Sequence, residues 1–366
     1  AAGGIAVTAS HNPREWNGLK FISEKGLYLN SSQFEEFLNI YHQGDFSLVD
    51  VEKYRSILFE KNPTEAHLKK LLSYLDTRLI QRKKLKVVVD SSNGAGAVLI
   101  PQFLEALGCR MTLINTTPDG AFAHHREPVQ KNIIRLCRTI REKKADVGFI
   151  QDADADRLAI INEKGQPLGE ELTLALAAKY VLSKNPGPVV TNLSTTQAID
   201  DIATEFGVPV YRTKIGEIHV AEEILNRKAV IGGEGNGGVI LPEIHACRDS
   251  FAAIGIILEY LACSGKKISK LQGEIPRYYM IKDKIDGGAQ EASWIIRELK
   301  RKYAQDYETS FLDGLKIYFR DTWVHIRPSN TEPVIRIQAE AKSQKGAEKT
   351  LKEFKKEILG HSRWKS

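Results

Sequence analysis

Cysteine is scarce. The 366 residues carry four, Cys109, Cys137, Cys247 and Cys263, and no two of them stand in a CxxC pair. That argues for reduced thiols in a cytoplasm rather than a disulfide framework. Long apolar runs are missing too. The longest, Phe251 to Leu258, falls far short of a membrane span and stops at Glu259. No basic stretch followed by an apolar one opens the chain, so neither a secretory signal nor a membrane partner is expected. Charge of one sign is in small excess, Lys+Arg 52 against Asp+Glu 46, for a formal net charge of +6. The basic clusters Arg82-Lys83-Lys84 and Lys300-Arg301-Lys302 are short and carry no interleaved aromatics, so they read as solvated faces rather than a nucleic-acid stripe. A mildly basic balance suits small anionic substrates. The oligomeric state is not legible.

What is present is strand–helix alternation. Ile5 to Val7 reads as a buried strand and Leu19 to Ile22 as a second. The opening Ala1-Ala2-Gly3-Gly4 has no Met and nothing precedes that strand, so the chain is expected to be a piece of a longer protein. From Lys86 onward, strands at Val87–Val89, Met111–Ile114, Val147–Ile150 and Leu158–Asn162 alternate with helices at Ile100–Leu107 and Ile133–Lys143. The pattern restarts after Gly169. Helices at Leu172–Leu182, Thr196–Phe206, Ile218–Leu225 and Phe251–Ala262 separate strands near Val189-Val190, at Val208–Tyr211 and at Ala229–Ile231. Beyond Gly273 three strands (Leu315–Phe319, Trp323–Ile326, Val334–Ala339) precede one helix, Gly346–Ile358. The fold class is therefore α/β: successive doubly wound α/β/α domains with mostly parallel sheets, then a C-terminal α+β domain. The divisions fall at 1–76, 77–169, 170–273 and 274–366.

Four loops carry chemistry. In Thr8-Ala9-Ser10-His11-Asn12-Pro13, Ser10 beside an imidazole, with Lys20 in the next strand, is a candidate nucleophile or phosphate carrier; a polar turn is the plainer reading. In Asp152-Ala153-Asp154-Ala155-Asp156-Arg157, near-extended backbone would point alternate carboxylates the same way. Three like charges a few ångströms apart call for a cation, and oxygen ligands suit Mg²⁺. An EF-hand would need Gly where Arg157 stands and helices where strands flank the loop. An aspartyl-nucleophile phosphatase would want Thr or Val at Asp156, and a solvated acidic turn is the bland alternative. The third loop, Gly232 to Gly238, satisfies GxGxxG but runs into a strand rather than a helix, against dinucleotide binding. Glu234 and Asn236 between tight glycines suit a polyhydroxylated ligand, against a mobile glycine-rich turn. The fourth, Arg327-Pro328-Ser329-Asn330-Thr331-Glu332-Pro333 with Arg336 beyond, offers a guanidinium, hydroxyls and turn N–H groups to a phosphate dianion, or is a polar turn. His124-His125 lacks a spaced partner for zinc, and Ser91 to Gly96 reads as a βα turn whose glycines permit close packing.

In this order and spacing the four loops resemble the α-D-phosphohexomutase family over nearly the whole chain. The resemblance implies an intramolecular phosphotransferase, a phosphoprotein that interconverts hexose 1- and 6-phosphates through a bisphosphorylated sugar. Ser10 would carry the phosphate, and Asp152, Asp154 and Asp156 would bind Mg²⁺ with the seryl phosphate as a further ligand. Lys20, with His11 close by, would be the general acid/base, and Arg157 completes the metal loop. Glu234 and Asn236 would read sugar hydroxyls, joined by Thr213, Lys214 and Gly216 of a variable loop. Arg327, Ser329, Asn330, Thr331 and Arg336 would grip the non-reacting phosphate. A hexose 1,6-bisphosphate is the expected activator, and small sugar phosphates are the only partners expected. Gly-Glu-Gly-Asn-Gly-Gly with His245 and Arg248-Asp249 is most similar to the phosphoglucosamine mutase subgroup. The Asn of SNTEP is more like phosphomannomutases and phosphoglucomutases, the alternative. A different class of reading is a catalytically incomplete sugar-phosphate-binding fragment.

Overall fold

Val87, Val88 and Val89 are almost wholly buried, as β-branched residues are when a strand is enclosed on both sides of a parallel sheet. The computed structural model of the chain describes residues 1–8, 10, 16–44, 46–120, 133–329 and 332–360. They divide into two units, residues 1–169 with 238–269 and residues 170–237 with 270–366.

The first unit opens with β1 (Gly3–Val7) paired antiparallel to β2 (Leu19–Ser23). The strand expected at Ile5 to Val7 forms but is not buried: Ile5 is 61% and Val7 68% exposed, since β2 is its one neighbour among the described residues. Helices α1 (Ser31–Gln43), α2 (Glu65–Tyr74) and α3 (Thr77–Lys83) follow. Then come β3 (Lys86–Asp90), α4 (Ile100–Ala106), β4 (Arg110–Ile114), α5 (Ile134–Lys143), β5 (Val147–Gln151) and β6 (Leu158–Asn162). The sheet order is β4-β3-β5-β6, with β6 the antiparallel edge.

In the second unit the order is α6 (Glu171–Lys184), β7 (Val189–Asn192), α7 (Ala198–Glu205), β8 (Val210–Thr213), α8 (Glu217–Arg227) and β9 (Ile231–Glu234). Strand β7 pairs in parallel with both β8 and β9. The strands expected at Val208–Tyr211 and Ala229–Ile231 thus lie further along the chain, and Gly232 to Glu234 are strand rather than loop. Close packing is the reason. A Cβ on Gly232 would stand 2.5 Å from the Val190 carbonyl oxygen, so glycine is what lets β9 lie against β7.

The chain re-enters the first unit with β10 (Gly238–Leu241), β11 (His245–Arg248) and α9 (Ser250–Ser264). The apolar run Phe251 to Leu258 is the heart of α9, buried on every side, as a helix without a polar face must be. Helices α2 and α3 pack against it.

After α10 (Ile268–Gly273) come β12 (Tyr279–Asp286), α11 (Ala289–Tyr303), β13 (Glu308–Ser310), β14 (Leu315–Tyr318), β15 (Thr322–Pro328), β16 (Val334–Ala341) and α12 (Gln344–Gly360). The sheet is antiparallel in the order β12-β16-β15-β14-β13, with the core between sheet and helices at Ile295, Leu299, Ile326, Ile337 and Phe354. Three strands and one helix were expected here; β12, β13 and α11 are additional. Helix α11 hides Ala292, Ile295 and Leu299 under an otherwise charged surface, and Lys300-Arg301-Lys302 is its exposed last turn, where cations complement the helix dipole. All four cysteines are free. Among the described residues no helix is long and apolar enough to cross a membrane.

Candidate active site

The aspartate loop joins β5 to β6. Its carboxylates do converge, each offering an oxygen within 4.8 Å of the others. The backbone that achieves this is a turn, not the near-extended stretch expected, with Ala155 at φ 59°. A non-glycine residue there is uncommon and marks a constrained segment. The constraint is visible. Asp152 Oδ1 accepts the N–H groups of Asp156 and Arg157, both at 3.0 Å. Ser250, at the start of α9, gives its hydroxyl and its N–H to the Ala155 carbonyl at 2.6 and 3.2 Å. On the other side Ala95 N–H donates to the Ala153 carbonyl at 2.8 Å. A Cβ on Gly94 would stand 2.3 Å from that same oxygen. The Ser91–Gly96 turn therefore packs as closely as its glycines suggested.

Around these carboxylates stand three cations. Lys20 Nζ lies 2.8 Å from Asp154 and 3.8 Å from Asp156. Arg248 Nη2 lies 2.6 Å from Asp156 Oδ2, and Arg157 Nε sits 3.8 and 3.7 Å from Asp152 and Asp156. Among the described residues charges balance, three against three, but hydrogen bonds do not: Asp152 Oδ2, Asp156 Oδ1 and Arg157 Nε are buried without a hydrogen-bond partner there. Burial first, then repulsion from Asp156 and Asp154, pushes the Asp152 carboxyl well above its usual range against the pull of Arg157. Burial also opposes ionisation of Asp154, but Lys20 outweighs it and holds that carboxyl below its ordinary value. Burial pulls the Lys20 ammonium down, yet Asp154, with Tyr28 and Asp156, holds it well above its ordinary value. Two orphaned oxygens in an oxygen-only cluster fit a small hard cation.

Ser10 completes the group. Its hydroxyl donates to Asp154 Oδ1 at 3.2 Å and its N–H to the Thr8 hydroxyl at 2.9 Å, with φ 49°. His11 lies outside the described residues, as do His124 and His125.

The second unit holds the remaining predicted residues. Glu234, at the carboxyl end of β9, is buried; its Oε1 accepts from Asn192 at 2.8 Å and from Gly216 N–H at 3.0 Å. Asn236 Nδ2 faces Oε2 at 3.4 Å. The fold thus brings the Thr213–Gly216 loop against Glu234. Thr213 itself is turned inward, its hydroxyl on the Lys214 carbonyl at 2.8 Å. Arg327 and Arg336 stand directly opposite each other across β15 and β16, and Arg336 Nε donates to Ser329 Oγ at 3.3 Å. Burial pulls the Arg327 guanidinium below its ordinary value, Arg336 adding to that and Asp313 opposing it. Like charges facing across a strand pair destabilise it, and the Glu332 carboxylate, 3.0 Å from Arg336 Nη2, offsets part of that repulsion. Asn330 and Thr331 lie outside the described residues.

Sequence reasoning did not place Arg248, Asn192 or Ser250 in the site. Arg248 and Asp156 are 92 positions apart, and no local pattern links them.

All four segments of this family's models match the chain. They are described as phosphoglucomutase/phosphomannomutase alpha/beta/alpha domain I over residues 1–48, domain II over 65–165, domain III over 169–279 and the C-terminal domain over 282–357. A phosphoglucomutase/phosphomannomutase of Thermococcus kodakarensis is 38% identical over 357 residues, which cover 96% of this chain and 77% of the relative. A probable phosphoglucosamine mutase of Methanopyrus kandleri is 34% identical over 96% of this chain and 77% of its own. The crystal structure of a phosphoglucomutase/phosphomannomutase family protein from Burkholderia thailandensis matches with a TM-score of 0.83 at 25% identity, covering 98% of this chain and 76% of that one. The chain belongs to the phosphoglucomutase/phosphomannomutase family, the α-D-phosphohexomutases. By class it is an isomerase, a phosphohexose mutase.

Proposed function

We propose that the chain interconverts hexosamine 1- and 6-phosphates, as a phosphoglucosamine mutase, by shuttling one phosphate through Ser10. The observation that carries this is the pair of orphaned buried oxygens, on Asp152 and Asp156, beside the Ser10 hydroxyl. A seryl phosphate brings about two negative charges to a cluster otherwise balanced three against three. Mg²⁺ on Asp152, Asp154, Asp156 and the seryl phosphate would restore neutrality and polarise the transferring group. In the first half reaction a sugar hydroxyl attacks phosphorus, and the new P–O bond forms as the Ser10 Oγ–P bond breaks; in the second, Ser10 Oγ attacks the other phosphate of the bisphosphate and that sugar O–P bond breaks, with the proton roles reversed. The hydroxyl proton leaves to a base, for which His11 is the candidate. Lys20, with its raised pKa, stays protonated and serves as the acid toward the departing Ser10 oxygen. Arg157 and Arg248 hold the aspartates in place. Transfer thus relies on position and electrostatics rather than on a reactive side chain.

Arg327, Arg336, Ser329, Asn330 and Thr331 would hold whichever phosphate is not reacting. Glu234, Asn236, Thr213, Lys214 and Gly216 would read the sugar. The division at 1–76, 77–169, 170–273 and 274–366 belongs to the same reading, each segment supplying one loop. The hexosamine assignment is supported by the Gly-Glu-Gly-Asn-Gly-Gly stretch and by relatives named phosphoglucosamine mutase. The 38%-identical relative, named phosphoglucomutase/phosphomannomutase, favours glucose and mannose phosphates as the second reading. Coupled assays on glucosamine, glucose and mannose 1-phosphates, primed with the matching 1,6-bisphosphate, rank the three. Mass spectrometry should find the phosphate on Ser10. Turnover of wild-type protein in Ser10→Ala, or label elsewhere, would sink the mechanism.

A further inference from the structure

Outside the aspartate loop the first unit carries a second cluster of ligating side chains that the mutase reaction does not use. His67 from α2, His245 from β11 and Asp249, which caps α9, bring their donor atoms within 4.8 Å of one another. His67 Nε2 is 3.2 Å and His245 Nε2 3.1 Å from the same oxygen, Asp249 Oδ2. The imidazole ring centroids are 5.3 Å apart. We propose that His67, His245 and Asp249 form a binding site for a divalent transition ion of the Zn²⁺ type, distinct from the aspartate cluster.

The geometry supports this in three ways. Ligands at about 2.0–2.1 Å from a tetrahedral ion are separated by about 3.3–3.4 Å, close to the two nitrogen–oxygen distances seen. The carboxylate is already aimed, because Asp249 Oδ1 accepts the Phe251 N–H at 2.8 Å, which leaves Oδ2 as the single ligating oxygen. The site is also reachable: the Asp249 side chain is 5% exposed, while His67 and His245 are 29% and 35% exposed, so water can supply a fourth ligand. Two imidazoles and one carboxylate prefer Zn²⁺ or Co²⁺ to Mg²⁺. Loading replaces the protons that the imidazoles share with Oδ2. In His245 that proton moves to Nδ1, where the Cys247 N–H now donates at 3.2 Å, so this long contact opens. No net proton need be released.

The competing reading is a hydrogen-bonded triad that caps α9 and binds no ion. Co²⁺ titration of the full chain, followed by visible absorption, separates the two. A strong tetrahedral band should appear in wild type and in Asp154→Asn, be displaced by Zn²⁺ and not by Mg²⁺, and vanish in His67→Gln and in His245→Gln. Circular dichroism of both histidine variants establishes that they fold. A wild type without that band, a band surviving in both folded histidine variants, or a band lost in Asp154→Asn overturns the proposal. The outcome does not depend on mutase turnover, so the two readings fail separately.

Discussion

Replacing Arg248 with Met tests whether the aspartate cluster is organised around an ion. Arg248 and Asp156 meet at 2.6 Å with side chains 9% and 10% exposed, so their contact is shielded from water. Removing one partner of a buried pair costs about 3–5 kcal/mol, because Asp156 loses its nearest cation. Methionine keeps most of the aliphatic volume, so the electrostatic part dominates. The first unit has about two hundred residues, for which 1 kcal/mol moves the melting temperature by roughly 2–4 °C. In chelator, Arg248→Met should therefore melt about 6–20 °C below the wild type. A divalent ion on Asp156 restores part of the missing positive charge. In saturating Mg²⁺ the gap should shrink by at least half, so the variant gains more from Mg²⁺ than the wild type does. Differential scanning fluorimetry of both proteins, with and without Mg²⁺, measures the four melting temperatures. A gap of the same size in both conditions would refute the reasoning, since Asp156 would then owe nothing to a metal.

Arg327→Ala should raise KM for both the 1- and the 6-phosphate by roughly ten- to a hundredfold, the loss of one charge-assisted hydrogen bond; a KM unchanged for both would remove the phosphate anchor. Gly94→Ala should cost about 1–3 kcal/mol of stability by overpacking and weaken Mg²⁺ dependence of turnover, because the new methyl meets the Ala153 carbonyl; wild-type stability and activity would show that the loop gives way freely. Buried His325, between Ser194 Oγ and the Asp313 carbonyl at 2.8 and 2.6 Å, is pushed down to about 4 from 6.5, by burial first and by Lys316 and Arg327, with Asp313 opposing. The unfolded chain takes that proton near pH 6.5 and the folded one only near 4, so stability is lost as pH falls through this window, by up to about 3 kcal/mol. Urea melts of wild type and His325→Asn between pH 7 and 4 should show the slope flattened in the variant; an identical slope places the titration elsewhere.

The loops were legible because each compresses its chemistry into six or seven consecutive residues: Ser10, the three aspartates, Glu234 with Asn236, and Arg327. Strands such as Val87–Val89 were legible because enclosure on both sides demands an unbroken apolar run. What escaped the sequence is what depends on pairing across distance. Strand β12, Tyr-Met-Ile-Lys-Asp-Lys-Ile-Asp, runs three apolar residues into three charged ones without a clean two-residue alternation and has only Ile285 buried, so it carries little strand signal until β16 lies beside it. Helix α11 hides three small or aliphatic residues in a run that reads as charge. The aspartates announce a cluster, but their turn depends on Ser250, Ala95 and Gly94, residues without any chemical signature of their own.

That last contact has a consequence for how such a site can change. The aspartate loop rests on the βα turn through main-chain atoms, the Ala95 N–H on the Ala153 carbonyl, and through a glycine that leaves no space for a side chain. Single substitutions can swap what the loop carries, at the aspartates themselves. They cannot easily alter where the loop stands, since main-chain contacts are not encoded by side-chain identity. The position of the cluster is thereby insulated from drift in the surrounding sequence, while its chemistry stays open to single substitutions. A mutational scan should find tolerance distributed accordingly, with Gly94 among the least permissive positions in the unit although it ligates nothing.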